Sequence, residues 1–166
     1  MVTNGEITKG ISTLYDTINQ IIEEARAAVY RTANITMVRA YWHIGRVIVE
    51  DEQKGKERAE YGKQVLKQLS QKLTKKHGRG FDESNLRHMR NFYLVYPKCD
   101  ALRPELSWTH YRLLLKVGNE QARLFYMQET IDCNWSTRTL ERQIGNLYYE
   151  RMLMSHNTQI VKDEAA

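Results

Sequence analysis

Residues 61–98 read YGKQVLKQLSQKLTKKHGRGFDESNLRHMRNFYLVYPK, two patterned segments joined by Gly-Arg-Gly. In the first, Tyr61, Val65, Leu66, Leu69 and Leu73 recur at helical spacing, while Lys63, Lys67, Lys72, Lys75 and Lys76 fill other positions. In the second, Leu86, Met89, Phe92, Tyr93 and Tyr96 share one side, and Ser84, Arg87, His88 and Asn91 form a row on the other. Asp82 is placed to cap this helix, with Phe81 before it to staple onto Leu86. Gly78 and Gly80 supply the backbone freedom of a sharp reversal. Helix, short glycine turn, helix is the shape of a helix-turn-helix unit. Side chains of the Ser84, Arg87, His88 and Asn91 kind hydrogen-bond base edges, so these four are the base-facing candidates. Lys63, Lys67, Lys75, Lys76, Arg79 and Arg90 are the phosphate-facing candidates. An ordinary amphipathic helix pair with a solvated charged face has the same pattern. The competing reading is therefore a protein-interaction or oligomerisation module that binds no nucleic acid.

Charge distribution bears on that choice. Residues 57–98 hold 10 basic and 4 acidic side chains, whereas residues 1–56 hold 7 of each and residues 99–166 hold 8 and 9. The excess of positive charge falls on the helix pair, as an electrostatic footprint for double-stranded DNA would; an acidic protein or an anionic membrane surface would match it too. With 42% hydrophobic residues in 166, the chain can build a core, and its two prolines, Pro97 and Pro104, lie close together. Long helices and an all-α fold follow, about seven helices with the helix-turn-helix at the centre and a long helix at the N-terminus. No run approaches the ~20 apolar residues of a membrane span, and no charged-then-apolar leader opens the chain, so a cytoplasmic protein is expected. Cys99 and Cys133 stand apart, outside any metal-ligand spacing, and are expected as buried or half-buried thiols; no metal or cofactor is implied.

Working outward, residues 1–7 read as a lead-in. Ile11, Leu14, Tyr15, Ile18, Ile22, Ala25 and Val29 then mark an amphipathic helix over Thr8–Arg31. Residues 1–33 are a candidate dimerisation arm, residues 34–154 the helix-turn-helix domain, and residues 155–166 a polar tail or linker. A second helix is expected over Asn34–Gln53, with a loop over Gln53–Glu57. Gly45 inside that helix signals the close approach of another helix, and Glu50 to Glu52 are expected to pair with nearby Lys or Arg. Asp51-Glu52-Gln53-Lys54 resembles the acidic-x-Lys triplet of PD-(D/E)xK nucleases, but it sits at a helix end rather than on a strand. Beyond Pro97, Ser107, Asn119 and Ser136 each stand where a helix cap belongs, the last opening a helix that runs through Leu140, Ile144, Leu147, Tyr148 and Met152. Trp108 and Trp135 read as core plugs, and His110 as a satisfied core histidine. No Ser-His-Asp, Cys-His, P-loop or dinucleotide pattern is present.

Three phrases carry a family resemblance: YWHIGRVIVEDEQKGKERAEYGKQVLKQLSQKLTKKHGRGFDESNLRHMRNFYLVYP, LSWTHYRLLLKV and NWSTRTLERQI. Together they resemble the N-terminal domain of the YhcG-like family of bacterial proteins over roughly Thr36–Arg151. That family usually continues into a C-terminal PD-(D/E)xK nuclease-like domain. The resemblance implies a non-catalytic half that targets or regulates a linked or separate nuclease. The order Asn85-Leu86 to Tyr96-Pro97, then Leu106-Ser107-x-x-His110, then Trp135 to Arg142 is similar to the DNA-binding domain of ParB-type partition proteins. By that similarity, Asp82–Tyr96 is the recognition helix. Thr139 departs from it, standing where a capping-box Glu is expected.

Overall fold

The structure, a computed structural model, describes residues 4–54 and 59–155, with side chains from residue 11 in the first segment and from residue 64 in the second. Within them lie seven α-helices: α1 (Asn4–Lys54), α2 (Ala59–His77), α3 (Glu83–Val95), α4 (Trp108–Leu114), α5 (Glu120–Asp132), α6 (Thr137–Gly145) and α7 (Tyr148–Met154). A single 3-10 turn, Cys99–Ala101, joins α3 to α4. The fold is all-α, with no strand among the described residues. The side chains of Tyr61 and Lys63, the loop over residues 55–58 and the tail from residue 156 lie outside the described residues.

Two boundaries differ from the sequence reading. The two N-terminal helices are one, beginning at Asn4 and crossing Thr32, Ala33 and Asn34 without a break. No glycine or proline interrupts that stretch, and an Asn inside a helix is only mildly unfavourable. The last helix, conversely, is two. After Gly145, Asn146 and Leu147 form a corner in which Leu147 is left-handed (φ 52°), and the chain restarts at Tyr148. The corner turns Tyr148 into the core and leaves Leu147 exposed.

The head of the molecule is built from residue 35 onward around two apolar clusters. The larger joins Val38 and Trp42 of α1 to Phe92 and Tyr96, then to Tyr111, Leu114, Tyr126, Trp135, Leu140 and Tyr148. The smaller joins Ile48 of α1 to Leu66 of α2 and to Leu86 and Met89 of α3, with Tyr41, Leu69, Leu73 and Phe81 around it. Trp108 packs against both. Met37 and Val47, also apolar residues of α1, are exposed. Along α1 the passage of α3 is close: a Cβ on Gly45 would lie 2.0 Å from the Met89 carbonyl oxygen and 3.2 Å from the Cβ of Tyr93. The glycine is what lets the two backbones meet. Trp42 Nε1 donates to the Tyr96 carbonyl at 2.6 Å, fastening the end of α3 to the same helix.

The caps are local and match the sequence. Asp82 accepts from the Asn85 amide, Asn119 from Ala122 and Ser136 from Thr139. Thr139 also places its hydroxyl 3.0 Å from that of Ser136. Ser107 and His110 form a reciprocal box at α4: Ser107 Oγ accepts from the His110 amide, and His110 Nδ1 accepts from the Ser107 amide at 3.1 Å. His110 Nε2 donates to the Trp135 carbonyl at 3.2 Å, which makes the ring neutral. Burial lowers its pKa below the ordinary histidine value, against the weaker opposing effect of that carbonyl. Burial likewise pushes the Tyr111 phenol up to about 12, its oxygen accepting from the Arg103 amide. Cys99 is half-buried, whereas Cys133, expected to be buried or half-buried, is exposed at the C-terminal cap of α5.

Candidate nucleic-acid interface

The outward surface of α2, the turn and α3 gathers the basic side chains. The turn reverses through Gly78 (φ 81°) and Gly80 (φ 108°), left-handed positions that glycine occupies without a Cβ clash. Arg79 between them is exposed, as are Lys67, Lys72, Lys75 and Lys76 on α2. On α3, Asn85, Leu86, Met89 and Phe92 turn inward. Ser84, Arg87 and Asn91 form an exposed row on the other side. His88 is half-buried beside that row, its Nδ1 2.7 Å from the Ser84 carbonyl oxygen, to which it donates. This leaves Nε2 as the ring atom available to an outside donor.

Two arginines have partners of their own. Arg87 pairs with Glu83 one turn earlier on α3. Arg90 Nε donates to Glu52 Oε2 at 2.7 Å, linking α3 to the last turns of α1, with the Arg90 side chain 39% exposed. Arg46 and Glu50 lie 3.6 Å apart within α1, so two of the carboxylates over residues 50–52 have the cationic neighbours expected of them. Asp82 satisfies the start of α3 with its own carboxylate. Attraction for an anion therefore falls to Lys75, Lys76 and Arg79 rather than to that helix end.

Asn85 holds this unit together, and the sequence reading assigned it no such task. Its Nδ2 donates to the Gly80 carbonyl in the turn, and its Oδ1 accepts from Trp108 Nε1 at 3.0 Å. One buried amide thus fixes the turn to α3 and α3 to α4. The available signal was a polar residue beside Leu86, in the apolar phase of an otherwise regular helix. The Glu83–Arg87 pair was legible as an i, i+4 spacing.

The triplet over residues 51–54 occupies the end of α1, where neighbouring side chains diverge by about 100°. Asp51 is exposed while Glu52 is held by Arg90. Among the described residues, no group of three or more His, Cys, Asp and Glu side chains is arranged to hold a metal ion. No described helix is long and apolar enough to cross a membrane.

An all-α scaffold in which two helices joined by a glycine turn pack against one long helix is the class these elements define. The chain belongs to the DUF1016 N-terminal domain family, which it matches over residues 17–151. It is similar to "Putative nuclease YhcG" of Escherichia coli (strain K12), with 36% identity over 191 aligned positions that cover 96% of this chain and 51% of that protein. The chain therefore spans about half the length of that curated relative. No solved structure matches it.

Proposed function

We propose that this chain is a non-catalytic DNA-binding module that targets or regulates a nuclease domain, linked or separate, of the YhcG-like family. The observation that carries this reading is the shared exposure of one basic segment. Lys75, Lys76 and Arg79 and then Ser84, Arg87 and Asn91 are exposed in the segment that holds the chain's positive excess. In this reading α3 lies in the major groove, Ser84, Arg87, His88 and Asn91 face base edges, and the lysines of α2 with Arg79 contact phosphates. Arg87 exchanges Glu83 for a base or a phosphate on binding. Arg90 contributes by orienting α3 through Glu52. The divergence of Asp51 and Glu52 favours a module whose chemistry is supplied by another domain.

Fluorescence anisotropy on a random 30-base-pair duplex, repeated over a salt series, tests this. Binding should weaken with log salt by about 0.9 per phosphate contacted. Arg87→Ala should cost ~1–3 kcal/mol on a preferred site and blunt sequence preference. Lys75→Ala should weaken all duplexes alike and lower the salt slope by about 1. Glu83→Gln, which releases Arg87, should tighten binding. A chain that binds no duplex at low salt is not a DNA-binding module, and a protein complex surviving high salt would then identify the basic face as a protein-docking surface.

A further inference from the structure

Between residues 11 and 34, α1 buries no side chain against the head. Every residue from 11 to 34 is exposed, including Ile11, Leu14, Tyr15, Ile18, Ile21, Ile22 and Val29 at 43–68%. These side chains fall on heptad positions. With Ile11 as a, the exposed a and d series runs Ile11, Leu14, Ile18, Ile21, Ala25, Ala28 and Thr32, and the e series runs Tyr15, Ile22 and Val29; Ile35, next in the series, is half-buried against the head. A stripe this regular is a packing face, and the charges beside it select its occupant. Residues 11–34 contain Asp16, Glu23 and Glu24 against Arg26 and Arg31, a net of −1, which repels DNA and lacks the basic flank of a membrane-surface helix. Glu23 and Arg26 pair with each other on the outer side. Glu24 and Arg31 remain as the charged residues in g positions.

We propose that two copies of this chain pair through this face as an antiparallel coiled coil centred between residues 26 and 27. In that register Ile21 faces the partner's Thr32 and Ala25 faces the partner's Ala28, all four exposed in the single chain. The central alanines let the helices approach closely. Antiparallel helices bring g edges together, so Glu24 meets the partner's Arg31 and Arg31 meets the partner's Glu24 across the two-fold axis. The e edges place Ile22 against the partner's Val29. A parallel pair would instead set Glu24 against Val29 and Arg31 against Thr36, leaving both charges unmatched. At 1.5 Å per residue the antiparallel register puts the two Gly45 crossings about 55 Å apart, so the two heads sit at opposite ends of the rod. The pairing stands independently of DNA binding, since a chain indifferent to duplex would still dimerise.

Sedimentation of the full 166-residue chain at tens of micromolar should give a dimer. Arg31→Glu or Glu24→Arg alone should weaken it at least tenfold, and the two together should restore it, because each swap is mirrored in the second copy. Spin labels on Ser12→Cys, with Cys99→Ser and Cys133→Ser, should lie about 45 Å apart in the antiparallel dimer and under about 20 Å in a parallel one. The thermal transition of the head reports that every variant is folded. A monomer at 100 µM, a species other than a dimer, a short label distance, or a double swap that fails to rescue overturns the proposal.

Discussion

The two halves of α1 carry apolar residues at the same helical spacing and end in opposite surroundings. Between residues 35 and 54 the stripe is covered by α2, α3 and α4 through Val38, Trp42, Gly45 and Ile48. Between residues 11 and 34 the same kind of stripe stands in water. Periodicity declares that a helix face has a partner without saying which molecule supplies it. What separates the halves is the set of features that only a particular neighbour explains: a glycine where another backbone crosses, a tryptophan N–H aimed at a helix end, and a glutamate that reaches an arginine on another helix. The arm has none of these toward the head. It has alanines at the middle of its stripe and two opposite charges one heptad apart.

The largest expected effect that would break this contrast is at the crossing. Gly45→Ala places a methyl group against the Met89 carbonyl, and urea unfolding should show a loss of about 3 kcal/mol as α3 is forced away. Ala27→Gly on the exposed arm should cost only the difference in helix propensity, about 1 kcal/mol locally, and leave the head transition in place. Equal effects at the two positions would mean that α1 and α3 do not cross as described. Next in size is Asn85→Ala, which strands the Gly80 carbonyl and the Trp108 N–H and should lower head stability by about 2 kcal/mol. The matching truncation on the arm, Asn34→Ala, is exposed and should stay within about 0.5 kcal/mol.

The parts of this fold that were legible in the sequence are the ones decided within a few residues. Asp82, Ser107, Asn119 and Ser136 were readable as caps because a cap is a side chain reaching an amide three residues on. Gly45 was readable because a glycine in a strong helix needs a reason, and the reason is the crossing of α3. The continuity of α1 through residues 31–34 was missed, since nothing in that stretch requires either a break or its absence. The break at Leu147 was missed because a left-handed leucine carries no local signal, while the burial of Tyr148 beyond it is decided by the tertiary core. For the candidate interface, the exposed row on α3 was legible from its phase. The pairing of Arg90 with Glu52, 38 positions earlier, depends on the tertiary crossing, and so does the bridging position of Asn85.

The finest separation of the two halves is by pH. His110 is neutral in the head, with Nδ1 accepting from Ser107 and Nε2 donating to Trp135, and its folded pKa lies below the ordinary value of 6.5. Below 6.5 the unfolded chain takes up a proton at this position while the folded chain resists it, so the unfolded state binds more protons and stability decreases as the pH is lowered. The contribution is present above 6.5 and is lost as pH drops through the folded value. His110→Gln keeps a donor and an acceptor at the third helical position, as a capping box with glutamine does, and does not titrate. The difference in unfolding free energy between parent and His110→Gln, followed from pH 7 to pH 5, should therefore change in the direction of relative loss for the parent, whatever the carboxylates common to both chains contribute. The arm holds no histidine between residues 11 and 34, so the dissociation of the proposed dimer over the same range should be the same in both chains. A parent and variant that lose stability in parallel would show that His110 is as easily protonated in the folded chain as in the unfolded one, and that the box with Ser107 and Trp135 does not hold it neutral.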